Sequence, residues 1–306
     1  MRPFVRRLAA VVLAGAATFA YVQGFAAPRD WPDALSARMQ QIRETGVVRL
    51  GYRDGAVPFS YVGPDRRPVG YSLDLCLAVV ATLADDLGVP ALRTEYVRVT
   101  AVDRVERVAT GAVDLECGST TITRERSARV AFSPVIFVTG TRLAVPRGSA
   151  IRGLADLAGR RVAVVGGTTS EAAMHDLDRL RGLRLAFVVA AGYPDALALL
   201  AAGAADAVAA DEALLRGVLA GSGSARDVRI VGPMLSFEPY GLAYARGEPA
   251  LADAVERTLR TLARSREIVW IYDRWFVRPL PGALAVGMPM SVELRRSFEV
   301  LGLPPD

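Results

Sequence analysis

The chain has 306 residues, 52% of them hydrophobic and 23% charged, enough for about two packed domains and unlike a mostly disordered chain. All 37 basic residues are Arg, which excludes a Schiff-base lysine and the Lys of a phosphate-binding Gly-rich loop. One His (His175) and two Cys are too few for a protein zinc site, so neither a metal nor a cofactor is expected.

The net charge of +5 is concentrated at the N-terminus. Arg2, Arg6 and Arg7 precede an Ala/Val/Leu run, Leu8–Ala20, and a small-residue exit at Gly24, Ala26 and Ala27. This order predicts a secretory signal over residues 1–26. Its cleavage removes three Arg and no acid, lowering the charge from +5 to +2, too little to argue for a nucleic-acid partner. A retained anchor is the alternative. Beyond it, no apolar run reaches the roughly 18 residues of a membrane span. An exported, periplasmic chain permits a disulfide between Cys76 and Cys117; two separately buried thiols are the other reading.

From residue 47 onward, strand-like and helix-like runs alternate. Val47–Tyr52 reads as a strand, Ser72–Leu87 as a helix with Ser72 as N-cap and Gly88 as stop, and Leu92–Val99 as a strand. Val102–Ala109 reads as a short helix and Val113–Cys117 as a strand. After a connector near Thr141–Gly148 the alternation resumes. Strands are predicted at Arg161–Val165, Arg184–Ala190, Ala207–Ala210 and Val228–Val231, and helices from Gly166 to about Leu180, Pro194–Ala202 and Asp211–Ala220. A second connector, Ser236–Ala245, leads to helices at Ala250–Arg264 and Glu267–Phe276. The order implies two α/β lobes with parallel strands, whose ligands sit outside the carboxyl ends of those strands.

No G-x-S-x-G elbow or G-x-G-x-x-G turn is present, and His175 lies inside a helix, read as solvated. Asp85 and Asp86 end a helix and read as solvated too. What remains is polar residues at strand ends and helix starts: Arg53, Arg104, Ser119, Thr120, Thr121, Arg126, Thr168, Thr169 and Asp211. Arg grips carboxylates in bidentate fashion, a helix start favours an anion, and an Asp takes an ammonium. Facing each other across a cleft, these groups suit a ligand with two carboxylates and one amine. Asp211 as a mere helix cap is the competing reading.

These residues stand in stretches that resemble the periplasmic amino-acid-binding proteins of ABC transporters, in the glutamate/aspartate-binding branch, over roughly residues 40–300. The stretches are Gly51-Tyr-Arg-Asp-Gly-Ala-Val-Pro-Phe-Ser-Tyr61, Val69-Gly-Tyr-Ser-Leu-Asp74, Asp114-Leu-Glu-Cys-Gly-Ser-Thr-Thr121 with Glu125-Arg126, Ala131-Phe-Ser133, Gly140-Thr-Arg-Leu143, Gly167-Thr-Thr-Ser-Glu171, Asp211-Glu-Ala-Leu-Leu215 and Asp273-Arg-Trp-Phe276. The resemblance implies an α/β, two-lobe, type II periplasmic binding protein fold. Lobe 1 is expected over 27–140 with 240–306 and lobe 2 over 141–239, joined by hinge strands at Thr141–Pro146 and Pro239–Ala245. It implies that Arg126 holds the ligand α-carboxylate with Thr121 and the Thr168/Thr169 turn, that Ser119 and Asp211 hold the ammonium, and that Arg53 and Arg104 hold the side-chain carboxylate. Two positions depart from the family: Ala101 stands in place of a Ser, and Tyr193 or a neighbour in place of a His. Tyr193 donates one hydrogen bond but brings no positive charge.

The expected mechanism is ligand-driven closure of the lobes, followed by docking of the closed, monomeric protein on an inner-membrane permease, with no catalysis. The rival readings are a periplasmic cyclohexadienyl dehydratase on the same fold, with Glu171 as its acid or base, and a sensor receptor.

Overall fold

A computed structural model describes residues 35–305. The expected signal over 1–26 lies outside the described residues. The chain begins with α1 (Ala37–Thr45), β1 (Val47–Tyr52), β2 (Tyr61–Val62), β3 (Pro68–Val69), α2 (Tyr71–Leu87), β4 (Arg93–Arg98), α3 (Arg104–Ala109), β5 (Leu115–Glu116), α4 (Arg124–Arg129), β6 (Val130–Phe132) and β7 (Phe137–Thr139). It continues with β8 (Thr141–Pro146), β9 (Arg161–Val165), α5 (Thr169–Arg181), β10 (Ala186–Ala190), α6 (Tyr193–Ala201), β11 (Ala207–Asp211), α7 (Glu212–Ser222) and β12 (Val228–Val231). It ends with β13 (Glu238–Tyr240), β14 (Ala243–Ala245), α8 (Pro249–Arg264), α9 (Glu267–Phe276) and α10 (Val292–Leu301).

Two five-stranded sheets result, in the orders β4-β1-β5-β14-β6 and β10-β9-β11-β8-β12. The β-α-β alternation places β4, β1 and β5 in parallel, and likewise β10, β9 and β11. Helices α2 and α3 in the first sheet, and α5 and α6 in the second, carry the chain back between parallel strands, as parallel pairing requires. The antiparallel β14 and β6 enter the first sheet, and β8 and β12 the second.

The crossing segments differ from the expected hinges. Phe137–Thr139 and Glu238–Tyr240 pair with each other, Glu238 opposite Thr139 and Tyr240 opposite Phe137, as a separate two-stranded ribbon. Thr141–Pro146 lies inside the second sheet between β11 and β12, and Ala243–Ala245 inside the first. The reason is burial: Leu143, Ala144 and Val145 are all covered, so this run carries apolar residues on both faces and belongs in a sheet interior.

Helix α2 also starts differently. Its first residue is Tyr71, and Ser72 is not the cap. The free N–H groups of Tyr71 and Ser72 donate to the carbonyls of Pro58 and Phe59, so no capping side chain is required. Ser72 Oγ instead donates to the Gly118 carbonyl at 2.7 Å, tying α2 to the exit of β5. The same helix faces that exit through Cys76, whose sulfur is bonded to that of Cys117. Asp86, expected in solvent, is buried and paired with Arg257 of α8.

The lobes meet. Gly217 of α7 lies so near the Val57 carbonyl that a Cβ there would sit 2.0 Å from its oxygen. Only glycine permits this approach of the second lobe's helix to a first-lobe loop. Among the described residues, no helix is long and apolar enough to cross a membrane.

Candidate ligand-binding site

The carboxyl ends of β1 and β5 and the start of α3 deliver the first lobe's polar groups to one place. Arg53 follows β1 directly. Its backbone N–H donates to Ser60 Oγ at 2.9 Å, and its Nη1 donates to Ser119 Oγ at 3.2 Å. Arg104 opens α3 and is 2% exposed, yet its Nε and Nη1 have no hydrogen-bond partner in the protein. Burial, and then the positive charges of Arg53 and Arg126, depress its guanidinium to about 9. Buried donors of this kind are costly unless something accepts from them. Arg126 is half-buried; its Nη1 donates to the Thr121 carbonyl at 3.0 Å, and its Nη2 reaches the Gly167 carbonyl of the other lobe at 3.4 Å. Burial lowers this guanidinium too, and Glu116 and Glu238 oppose the shift.

The second lobe closes the site with the β9–α5 turn, the start of α6 and the end of β11. Thr168 caps α5: its Oγ1 donates to the Val165 carbonyl at 2.7 Å and accepts from the Glu171 N–H at 3.2 Å. Thr169 Oγ1 donates to Glu238 Oε2 at 2.6 Å. Having one proton, it therefore accepts from Thr121 Oγ1, 3.1 Å away across the cleft. Tyr193 is buried, with the Arg53 guanidinium carbon 5.3 Å from its ring centroid, a further interlobe contact. The mouth of the cleft, about 540 Å³, runs between Ala101, Val102 and Arg126 on one lobe and Gly167, Thr168 and Thr169 on the other.

Asp211 ends β11 at the N-cap position of α7, but its side chain makes no capping bond. Its Oδ1 accepts from Ser170 Oγ at 2.8 Å and Thr141 Oγ1 at 3.4 Å, and its Oδ2 accepts from the Tyr240 hydroxyl. Desolvation first, and the neighbouring Glu238 second, push its carboxyl up to about 6. Three of its four lone-pair sites are thus filled from within.

The structure brings Arg53, Arg104, Ser119, Thr121, Arg126, Thr169 and Tyr193 together; Thr168 shapes the turn, and Asp211 accepts from Tyr240 of the β7–β13 ribbon. Sequence reasoning missed Glu116, Glu238, Tyr240, Ser170 and Thr141. The signal available for Glu116 was an acid between Leu115 and Cys117, both fully buried. Asp114 in the same stretch serves the fold, pairing with Arg38 and Arg49. Glu171 Oε2 accepts from the Gly167 N–H at 2.8 Å, a capping contact within its own turn. His175 is exposed and packs on Phe187. Among the described residues no cluster of three or more His, Cys, Asp or Glu is placed to hold a metal ion.

The sequence and the fold both have known counterparts. An "L-glutamate/L-aspartate-binding protein" of Pseudomonas aeruginosa is 37% identical over 266 residues, spanning 86% of this chain and 88% of that one. A "glutamate/aspartate import solute-binding protein" of Escherichia coli K12 is 32% identical, spanning 96% of this chain and 97% of its own. The solved structure of an ancestral arginine-binding protein bound to arginine superposes with a TM-score of 0.68 at 28% identity, over 76% of this chain and 98% of that one. Residues 48–278 match the model of one family, and with the two lobes and the cleft described above the chain belongs to the bacterial extracellular solute-binding proteins, family 3.

Proposed function

We propose that this protein captures an acidic amino acid, L-glutamate or L-aspartate, between its lobes and delivers it to the permease of an ABC importer. The carrying observation is the trio Arg53, Arg104 and Arg126 in a closed cleft, with the buried Nε and Nη1 of Arg104 free to donate. Buried guanidinium donors without a partner call for acceptors, and carboxylate oxygens give them charge-assisted hydrogen bonds. In this reading Arg104 and Arg53, with Ser119 and the Tyr193 hydroxyl, take the distal carboxylate. Arg126 takes the α-carboxylate beside Thr121, Thr168 and Thr169, and Asp211, with Ser119, takes the ammonium. The similarity to glutamate/aspartate-binding proteins of two bacteria supports the ligand class.

Binding is a closure equilibrium. A ligand touching both lobes favours the closed form by its differential affinity for that form. Charge-assisted hydrogen bonds contribute about 1.5–3 kcal/mol each. A micromolar dissociation constant corresponds to about 8 kcal/mol, so several such bonds suffice after the costs of closure. Residues 27–140 with 240–306 and residues 141–239 move as the two bodies, the ribbon Phe137–Thr139/Glu238–Tyr240 flexing between them. The protein works as a periplasmic monomer after removal of residues 1–26. Glu171, the acid or base of the dehydratase reading, is engaged in capping its own turn.

Thermal unfolding of the purified protein against the twenty amino acids and common dicarboxylates tests the proposal, because a ligand at concentration [L] stabilises by RT ln(1 + [L]/Kd). Selective stabilisation by L-glutamate or L-aspartate is expected. Stabilisation by neutral or basic amino acids alone overturns it.

A further inference from the structure

Glu116 is 1% exposed, at the carboxyl end of β5, and neither oxygen of its carboxylate has a hydrogen-bond partner in the protein. It sits within the arginine trio. A Cβ on Gly118 would lie 2.3 Å from Glu116 Oε1 and 3.2 Å from Arg53 Cδ, so both side chains crowd one glycine. It also interacts electrostatically with Arg104 and Arg126. Two other buried acids lie near the cleft, and both are spoken for. Asp211 accepts from Ser170, Thr141 and Tyr240, and Glu238 accepts from Thr169 and Ser236. Glu116 alone among the three has no donor on its carboxylate, at a buried position where a charge is screened less than in water.

We infer that Glu116 is a specificity-determining residue of this cleft, selecting ligands that carry an ammonium over dicarboxylates that lack one. The inference rests on the acidic-amino-acid reading of the same site. L-Glutamate and glutarate present the same two carboxylates, and Glu116 opposes those equally in both. The ligands differ in the ammonium, which Glu116 attracts. Its charge therefore acts on the ratio of the two affinities, whereas a purely structural contribution acts on both affinities alike. The same carboxylate balances one of three guanidinium charges, so an uncharged residue here leaves the cleft more receptive to dianions.

Calorimetry at neutral pH on wild type, Glu116→Gln and Glu116→Asp, with L-glutamate and glutarate, tests this. Wild type prefers L-glutamate. Glu116→Gln lowers the glutamate-to-glutarate affinity ratio on the order of tenfold, the effect of one unit charge several ångströms away in a site of intermediate dielectric. Glu116→Asp, which keeps the charge, holds the ratio within about threefold of wild type. Should Glu116→Gln not fold, Glu116→Met, of similar length and equally uncharged, carries the same comparison. Wild type binding glutarate as tightly as L-glutamate overturns the inference without any variant. Equal losses of both ligands in an uncharged variant, or an unchanged ratio, overturn it while leaving the acidic-amino-acid reading intact. Wild type that binds neither ligand refutes that reading and the inference with it.

Discussion

Replacing Arg104 by Met separates what the closed cleft costs from what it does. Arg104 is buried, its Nε and Nη1 have no acceptor within the protein, and Arg53 and Arg126 repel it while Glu116 attracts it. A guanidinium depressed to about 9 is disfavoured in its charged form at neutral pH. Each tenfold change in its proton affinity is about 1.4 kcal/mol, so a charged Arg104 buried at this position weakens the fold by a few kcal/mol. Its sign is fixed. A base with a lowered folded value weakens the fold at every pH below that value, and removing the base relieves the cost. Met fills similar space without the charge. The ligand-free variant should therefore unfold at a higher temperature than wild type, by about 2–4 °C for each kcal/mol relieved in a chain of this size. Its function should fall sharply. Losing one partner of a buried charge pair costs about 2–5 kcal/mol, a loss of roughly 30-fold to several thousandfold in L-glutamate affinity. L-Glutamine presents a neutral amide, whose hydrogen bond is worth about 0.5–1.5 kcal/mol, so its affinity should fall tenfold at most. Calorimetry with both ligands, alongside thermal unfolding without ligand, reads all three quantities. Equal losses for L-glutamate and L-glutamine would refute the assignment of Arg104 to a distal carboxylate. A strongly lowered midpoint in the ligand-free variant would refute the claim that Arg104 is unpaired.

Asp211, held up to about 6 by burial, must be ionised to accept an ammonium. L-Glutamate affinity should fall roughly tenfold from pH 7.5 to pH 5, with proton release on binding below pH 6, and Asp211→Asn should bind weakly at both pH values; a wild-type affinity flat over this range contradicts the role. In ligand-free protein the same group adds stability below about pH 4, and that stability is lost as pH rises through 6. Arg126→Ala should weaken every amino acid tested by about 2–5 kcal/mol, since the α-carboxylate is common to all; affinities within threefold of wild type by calorimetry would remove it from the site. Converting Cys76 and Cys117 to Ser opens a bridge spanning 41 residues, for which chain entropy sets a loss of up to about 4 kcal/mol; an unchanged denaturant midpoint relative to the oxidised protein would show that the bridge contributes nothing. Ala101→Ser with Tyr193→His should tighten L-glutamate and L-aspartate but not L-glutamine, measured by the same titrations.

The alternation of strand and helix was legible in the chain because its causes are local: β-branched runs such as Arg161–Val165 and Val228–Val231, glycine stops, and the apolar spacing of α8 and α9. Those segments fold where the pattern puts them, α9 at Glu267–Phe276 to the residue. The cleft residues were legible for a different reason. Arg and Thr at strand ends and helix starts fall on one edge of a parallel sheet, whatever the details of packing. The hinge was not legible. Whether Thr141–Pro146 crosses between lobes or pairs within one depends on β11 and β12, which lie 60 to 90 residues downstream. The start of α2 was misplaced because the carbonyls that satisfy its first N–H groups come from Pro58 and Phe59, beyond any local capping rule. The glutamates of the site were missed on the same ground. Glu116 and Glu238 stand in short strands, Glu116 marked only by its apolar neighbours, and only the meeting of two sheets shows which carboxylate is filled by hydroxyls and which is left to act by charge. Local propensity and periodicity are written residue by residue, whereas electrostatic environment and partnership belong to pairs that the chain brings together only on folding.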